Sequence, residues 1–257
     1  MLQLMISRDA GLLALDDEIR KFLPSFRIQS PYPPSRRGIT LRQLATHLGG
    51  IPRESPCASF EECDQTVDEA LAKIANLSII VPPDTIPIYS NLGFDILGHT
   101  LATINNVSYE DLIDKTIINP LGLTDTGVNI TRAPHAQLAL PYLDDKLPCG
   151  LACLQDFGWS DPCGAMYSSV ADIGKVMSLM FRDEAAYAPG TDQILDGASV
   201  RETLLPTFMF PDEDGFAMTW EMYKLGDYLV RTKRGDVNGA CNSYDFNSYE
   251  SASFGGT

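Results

Sequence analysis

Basic residues are scarce in this chain of 257 residues: 19 lysines and arginines stand against 34 aspartates and glutamates, a formal net charge of −15. Such a surface repels phosphate backbones and anionic lipid, and it lacks the basic stripe of a nucleic-acid binder, so no nucleic-acid partner is expected. Long apolar runs are missing too. None reaches the roughly 18 to 20 residues that span a bilayer, because the best candidates are broken by Pro82, Pro83 and Pro87. The apolar start, Met1 to Ile6, gives way to Ser7-Arg8-Asp9 too soon for a signal-peptide core, and no basic residues precede it. Paired C-x-x-C spacing is absent, so a zinc site built from Cys149, Cys153, Cys163 and His135 has no pattern behind it. The acidic group Asp212-Glu213-Asp214 lacks the ligand spacing of a calcium loop and reads as a solvated turn. No metal is expected, and no internal repeat is present.

What is there begins with 44% hydrophobic residues, enough for a substantial core in one globular unit. Six cysteines (Cys57, Cys63, Cys149, Cys153, Cys163 and Cys241) allow up to three disulfides, and Cys57 with Cys63 or Cys149 with Cys153 would close short loops. Three sequons, Asn76-Leu-Ser78, Asn106-Val-Ser108 and Asn129-Ile-Thr131, point the same way, toward a secreted or extracellular-facing location. Six reduced core thiols are the alternative.

The pattern of apolar residues predicts helices first and strands last. A helix without a start signal runs to about Gly11, which suggests that the sequence opens inside an element. The acidic cluster Asp16-Asp17-Glu18 suits the start of a second, ended by Leu23-Pro24. Thr40 with Gln43 forms a capping box ahead of a short helix stopped by Gly49-Gly50-Ile51-Pro52. Amphipathic spacing marks residues 59–77, and residues 92–104 read as a buried helix. Ser108 and Asp111 open a helix through Ile118, and Ser168 or Ser169 caps another through Met180, with Val170, Ile173, Val176, Met177 and Met180 on one face. Strand-like alternation appears at residues 216–220, 228–233 and 237–246. This order gives an α+β fold; nothing in the last residues, 247–257, assigns them a structure.

The most suggestive chemistry is Tyr89-Ser90-Asn91, directly before the apolar helix. In water a phenol ionises only near pH 10, so a tyrosine serves as a base at neutral pH only where cations stabilise the phenolate. A half-buried core tyrosine is the plain alternative. His47 suits a hydrogen-bonded loop position better than a catalytic base, and His99, in an apolar helix, suits packing. Ser168 and Ser169 lack a G-x-S-x-G elbow and read as caps.

Five ordered stretches carry a family resemblance. Leu13 to Pro24 (LALDDEIRKFLP), Ile39 to Pro52 (ITLRQLATHLGGIP), Tyr89 to Gly98 (YSNLGFDILG), Asn119 to Thr126 (NPLGLTDT) and Cys163 to Ile173 (CGAMYSSVADI) resemble, in order, stretches of class C β-lactamases and D-alanyl-D-alanine carboxypeptidases. Animal β-lactamase-like proteins share the pattern. The resemblance implies a β-lactamase/transpeptidase-like fold, an antiparallel sheet flanked by a helical region, incomplete at both ends and covering residues 1–246. It implies serine acylation and hydrolysis of a small peptide-like or acyl substrate, without metal or organic cofactor.

Three motifs carry catalysis in that family. The Tyr-x-Asn motif is intact, which gives Tyr89 the role of general base and Asn91 that of binding the substrate amide. Lys233-Arg234-Gly235 resembles the Lys-Thr-Gly motif, with Lys233 supplying positive potential, Arg234 in place of a small hydroxyl residue and the N–H of Asp236 as an oxyanion donor. The third, Ser-x-x-Lys, is missing: no serine in the chain has a lysine three residues on. The chain is therefore expected to be a catalytically incompetent piece of a serine hydrolase, or else a pseudoenzyme or binding module with the same fold.

Overall fold

The computed structural model describes residues 1–33, 37–54, 56–57, 63–134, 138, 142–144, 147–148, 156–181, 193–233, 235, 237–239, 244–246 and 254–256. Its helices are α1 (Leu2–Asp9), α2 (Leu41–Ala45), α3 (Val67–Ile74), α4 (Asn91–Asn105), α5 (Tyr109–Ile113), α6 (Asp161–Gly164), α7 (Val170–Met180) and α8 (Gly197–Leu204). The strands are β1 (Tyr142–Asp144), β2 (Leu147–Pro148), β3 (Phe208–Met209), β4 (Gly215–Phe216), β5 (Glu221–Leu225), β6 (Tyr228–Thr232), β7 (Val237–Gly239), β8 (Tyr244–Phe246) and β9 (Phe254–Gly256).

Capping chemistry starts most helices where the sequence places it. The boxes Thr40/Gln43 and Thr66/Glu69 are both closed, each hydroxyl accepting from the third residue's N–H while that residue's side chain reaches back. Ser90 caps α4, Ser108 caps α5 and Ser169 caps α7. Helix α4 is the central element. Ten of its residues are buried, as its nearly all-round apolar sequence requires, and Asn106 ends it in the left-handed region at φ 53°. It crosses α6 so closely that a Cβ at Gly98 would lie 2.3 Å from Pro162 Cβ, which excludes any side chain at position 98.

The sheet has five strands in the order β3-β4-β5-β6-β9, all antiparallel. Its register matters for the site. A two-residue connection, Gly226-Asp227, sets Leu225 opposite Tyr228 and hence Glu221 opposite Thr232, the residue before Lys233. Strand β9 adds an edge by pairing Arg231 with Phe254, so part of the C-terminal tail joins the sheet. The pairs β1–β2 and β7–β8 form separate two-stranded ladders. The main core takes Leu4, Leu41, Leu44, Ile74, Leu92 and Ile96 from the helices and Ala217, Met218, Trp220 and Met222 from the sheet. A smaller cluster around Ile113, Ile118, Val128 and Leu179 packs beneath α5 and α7.

Four expectations are corrected. The helix expected over residues 59–77 begins only at Val67, because Thr66 caps it and residues 63–66 are not helical. Residues 15–19 form no α-helix. Their backbone pairs with the segment before and within α2 (Ile19 N–H to Ile39 O 2.9 Å, Arg42 N–H to Leu15 O 2.7 Å), and only a 3₁₀ turn, Ile19–Lys21, follows. Within residues 216–220, only Phe216 lies in a strand; Ala217 and Trp220 close a turn (Ala217 N–H to Trp220 O 2.8 Å) whose Thr219 has φ 69°. Val170 is 90% exposed instead of facing the core. The cap at Ser169 makes it the first helical residue. Asp172 points inward in its place, accepting from Asp125 N–H and the Thr126 hydroxyl.

Candidate active site

The site is assembled around the turn that enters α4. His47 lies in the left-handed region (φ 59°) after α2, and its backbone carbonyl accepts from Ile88 N–H at 2.9 Å. Its Nδ1 accepts from Ser90 N–H at 3.1 Å. Burial, reinforced by the charge of Lys233, pushes the imidazole pKa down to about 3, so this nitrogen is unprotonated and free to accept. Ser90 Oγ closes the arrangement by donating to Pro52 O at 2.6 Å and accepting from Gly93 N–H at 2.8 Å. Ile80 N–H also binds Gly50 O, at φ 66°, and a Cβ at position 50 would lie 2.1 Å from Val81 O. Glycine is required there.

These contacts hold Tyr89 against the His47 ring, centroids 4.6 Å apart. Lys233, just past β6, donates from Nζ to Tyr89 Oη at 3.2 Å across 144 residues of sequence. It also lies 3.6 Å from Glu221 Oε1 on the neighbouring strand. The ammonium of Lys233 and the guanidinium of Arg53 sit 5.0 and 5.1 Å from the Tyr89 ring centre. Asn91, buried at the first position of α4, donates from Nδ2 to Glu54 Oε2 at 3.2 Å, and Arg53 Nε donates to the other oxygen of Glu54 at 2.9 Å. A phenol and an ammonium therefore meet here, and the Asn91 carboxamide is tied to the Arg53–Glu54 pair, whose arginine lies over the same phenol ring.

A family model described as Beta-lactamase matches residues 2–240. The chain belongs to the beta-lactamase family. "Beta-lactamase-like protein 2" of Dictyostelium discoideum is 29% identical over 247 residues, covering 90% of this chain and 42% of that protein. "Putative beta-lactamase-like 1" of Homo sapiens is 31% identical over 241 residues, covering 90% of this chain and 46% of that protein. The chain thus spans less than half the length of these relatives. Among solved structures, a class C beta lactamase from Rhodobacter sphaeroides superposes with TM-score 0.72 at 21% identity, covering 93% of this chain and 70% of that one. A beta-lactamase/D-alanine carboxypeptidase from Yersinia pestis gives 0.69 at 20% identity, covering 91% and 67%. The β-lactamase/transpeptidase-like fold expected from the sequence is the fold observed.

Among the residues singled out in the sequence, Lys233 and Tyr89 are in contact, while Asn91, two residues along the chain from Tyr89, bonds Glu54. Gly235 is exposed, with open space where a Cβ would stand. Arg234 and Asp236 lie outside the described residues, as do Cys149, Cys153 and His135 of the considered zinc set. His47 accepts from Ser90 N–H, and His99 stacks on Trp159 at 4.9 Å and bonds its carbonyl at 2.7 Å. Sequence reasoning missed Arg53, Glu54 and Glu221. The hairpin count from Gly226-Asp227 could have found Glu221, whereas Arg53 and Glu54 carry no local signal beyond following Pro52.

Two features flank the site on α4. Asp95 is fully buried one turn beyond Asn91. Its Oδ1 accepts from Cys163 N–H at 3.1 Å, and Oδ2 has no hydrogen-bond partner among the described residues. Burial pushes this carboxyl up to about 8, so it is mostly protonated at neutral pH. Farther along, a cavity of about 320 Å³ opens between α4, α5 and α7, lined by Phe94, Leu97, Leu101, Ile113, Ile173 and Val176 among others.

Proposed function

We propose that the chain forms the tyrosine, asparagine and lysine part of a serine acyl-transfer site, hydrolysing a small peptide-like or acyl substrate in the whole protein, and that it does not turn substrate over by itself. The contact between Lys233 and Tyr89 carries this reading. It sets a cation beside the oxygen that becomes negative when Tyr89 gives up its proton, so Tyr89 is equipped to take a proton from an attacking hydroxyl and later from the deacylating water. In this reading Asn91 binds the substrate amide, and the chain beyond Lys233, Arg234, Gly235 and Asp236, supplies the oxyanion side. With no Ser-x-x-Lys in these 257 residues, the acylated serine is assigned to sequence outside them.

A non-catalytic binding module is the alternative. The observation favouring it is that Asn91 and Lys233 already face carboxylates, Glu54 and Glu221. Fluorescent penicillin tests the first part: this chain forms no adduct that survives denaturation, and labelling of any of its serines refutes the assignment. In the whole protein, Tyr89→Phe lowers kcat/KM by about 10²- to 10⁴-fold with folding intact. Unchanged turnover in that variant would favour a different base.

The compartment belongs to the same proposal. Cys57 and Cys63 form a disulfide, with Cα atoms 5.7 Å apart, and this supports an oxidising, secreted or extracellular-facing location.

A further inference from the structure

The three sequons occupy three different settings, and only two of them leave room for a glycan. Asn76 follows α3 in an exposed turn; its Nδ2 makes one surface bond, to Ala72 O at 3.1 Å, and Ser78 is exposed as well. Asn106 is the exposed left-handed residue that ends α4, with Val107 and Ser108 also at the surface. Asn129 is only 8% exposed. Its Nδ2 donates to Asp156 Oδ2 at 2.7 Å, its Oδ1 accepts from both the N–H and the hydroxyl of Thr131 at 2.9 and 2.7 Å, and the preceding Val128 is packed in the smaller core.

We infer that Asn76 and Asn106 are N-glycan acceptors in the folded protein and that Asn129 is not. In the transfer, the amide Nδ2 displaces a polyprenyl diphosphate from C1 of a lipid-linked oligosaccharide. The N–C1 bond forms, the C1–O bond breaks with its electron pair leaving on the diphosphate, and the amide proton passes to a base of the transferase. Because transfer precedes folding, all three sequons are accessible at that moment. What the fold decides is which products survive. A sugar on Asn129 cannot fit against Asp156 and Val128, so molecules carrying it fail to dock residues 128–133 and are lost from the folded pool. A sugar on Asn106 stays far from the candidate site: α4 spans 15 residues from Asn91 to Asn105, about 22 Å at 1.5 Å per residue, between that sugar and the Tyr89–Asn91 turn.

This inference rests on the secretory routing proposed above, so the test imposes the routing and reads the sites alone. The chain is expressed in animal cells behind a secretory leader, and the soluble, protease-resistant pool from lumen and medium is analysed by intact mass and by deglycosylation that converts each modified Asn to Asp. Two glycans are expected, on Asn76 and Asn106. Asn76→Gln and Asn106→Gln each remove one, and Asn129→Gln removes none. Ser78→Ala removes the first while keeping Asn76, whereas Ser108→Thr retains the second and preserves the cap of α5. A folded pool without glycans, or one carrying a glycan on Asn129, overturns the assignment; because routing is imposed, that result refutes the sites and not the compartment.

Discussion

Replacing Asp95 by Asn should stabilise the protein, and by an amount that grows with pH. The carboxyl is buried to 0% exposure on α4 and is held near a pKa of about 8 against an ordinary 3.8, first because burial penalises its charge. A folded-state pKa above the unfolded one means that the folded protein binds more protons across the interval between them. The associated stability is fully present below about pH 4 and is lost as pH rises toward about 8. One proton of difference corresponds to about 1.4 kcal/mol per pH unit. From about pH 5 to about pH 7 the native protein should therefore lose about 3 kcal/mol relative to Asp95→Asn, a large part of a typical 5–15 kcal/mol stability. Asparagine keeps the acceptor for Cys163 N–H and carries no charge, so other titrating groups cancel to first order in the comparison. Those groups include His47; Asp161, raised by burial to about 7, interacts by charge with Asp95 and does not cancel. Urea unfolding of both proteins at a series of pH values measures the difference. Curves that stay parallel across that range would refute a protonated Asp95.

The His47 setting predicts an ordering of variants: His47→Ala leaves the buried Ser90 N–H without its acceptor and costs about 2–4 kcal/mol, whereas His47→Asn, which tolerates φ 59° and retains an acceptor, costs less. Equal losses in thermal unfolding would contradict the hydrogen-bond account. Gly50→Ala should be more damaging than an ordinary loop substitution, by about 2–4 kcal/mol, because its Cβ meets the Val81 carbonyl at a positive φ. A loss under about 0.5 kcal/mol would show that this loop yields.

How much was legible follows from the range of the interactions. The box at Thr40 and the serine caps of α5 and α7 act within three residues, so those helix starts could be read directly; the box at Thr66, equally local, sets the start of α3 at Val67 and not at residue 59. The acidic residues 16–18 carry the same kind of signal, yet pairing with Thr40 and Leu41 claimed their backbone. Phe216 to Trp220 alternates like a strand, but a left-handed Thr219 whose N–H bonds Ala45 O breaks it.

By itself the sequence determined the α+β class and the buried character of α4, because both rest on short-range patterning; the expected order of helices before strands did not hold, since β1 and β2 precede α6, α7 and α8. Only the tertiary structure decided that Lys233 reaches Tyr89, that Glu54 holds Asn91 and Glu221 faces Lys233, and that Asn129 is shut in beside Asp156. These contacts join residues on separate loops and strands. Their geometry is set by how the sheet register and the α2–α4 packing bring those segments together, which no local spacing encodes.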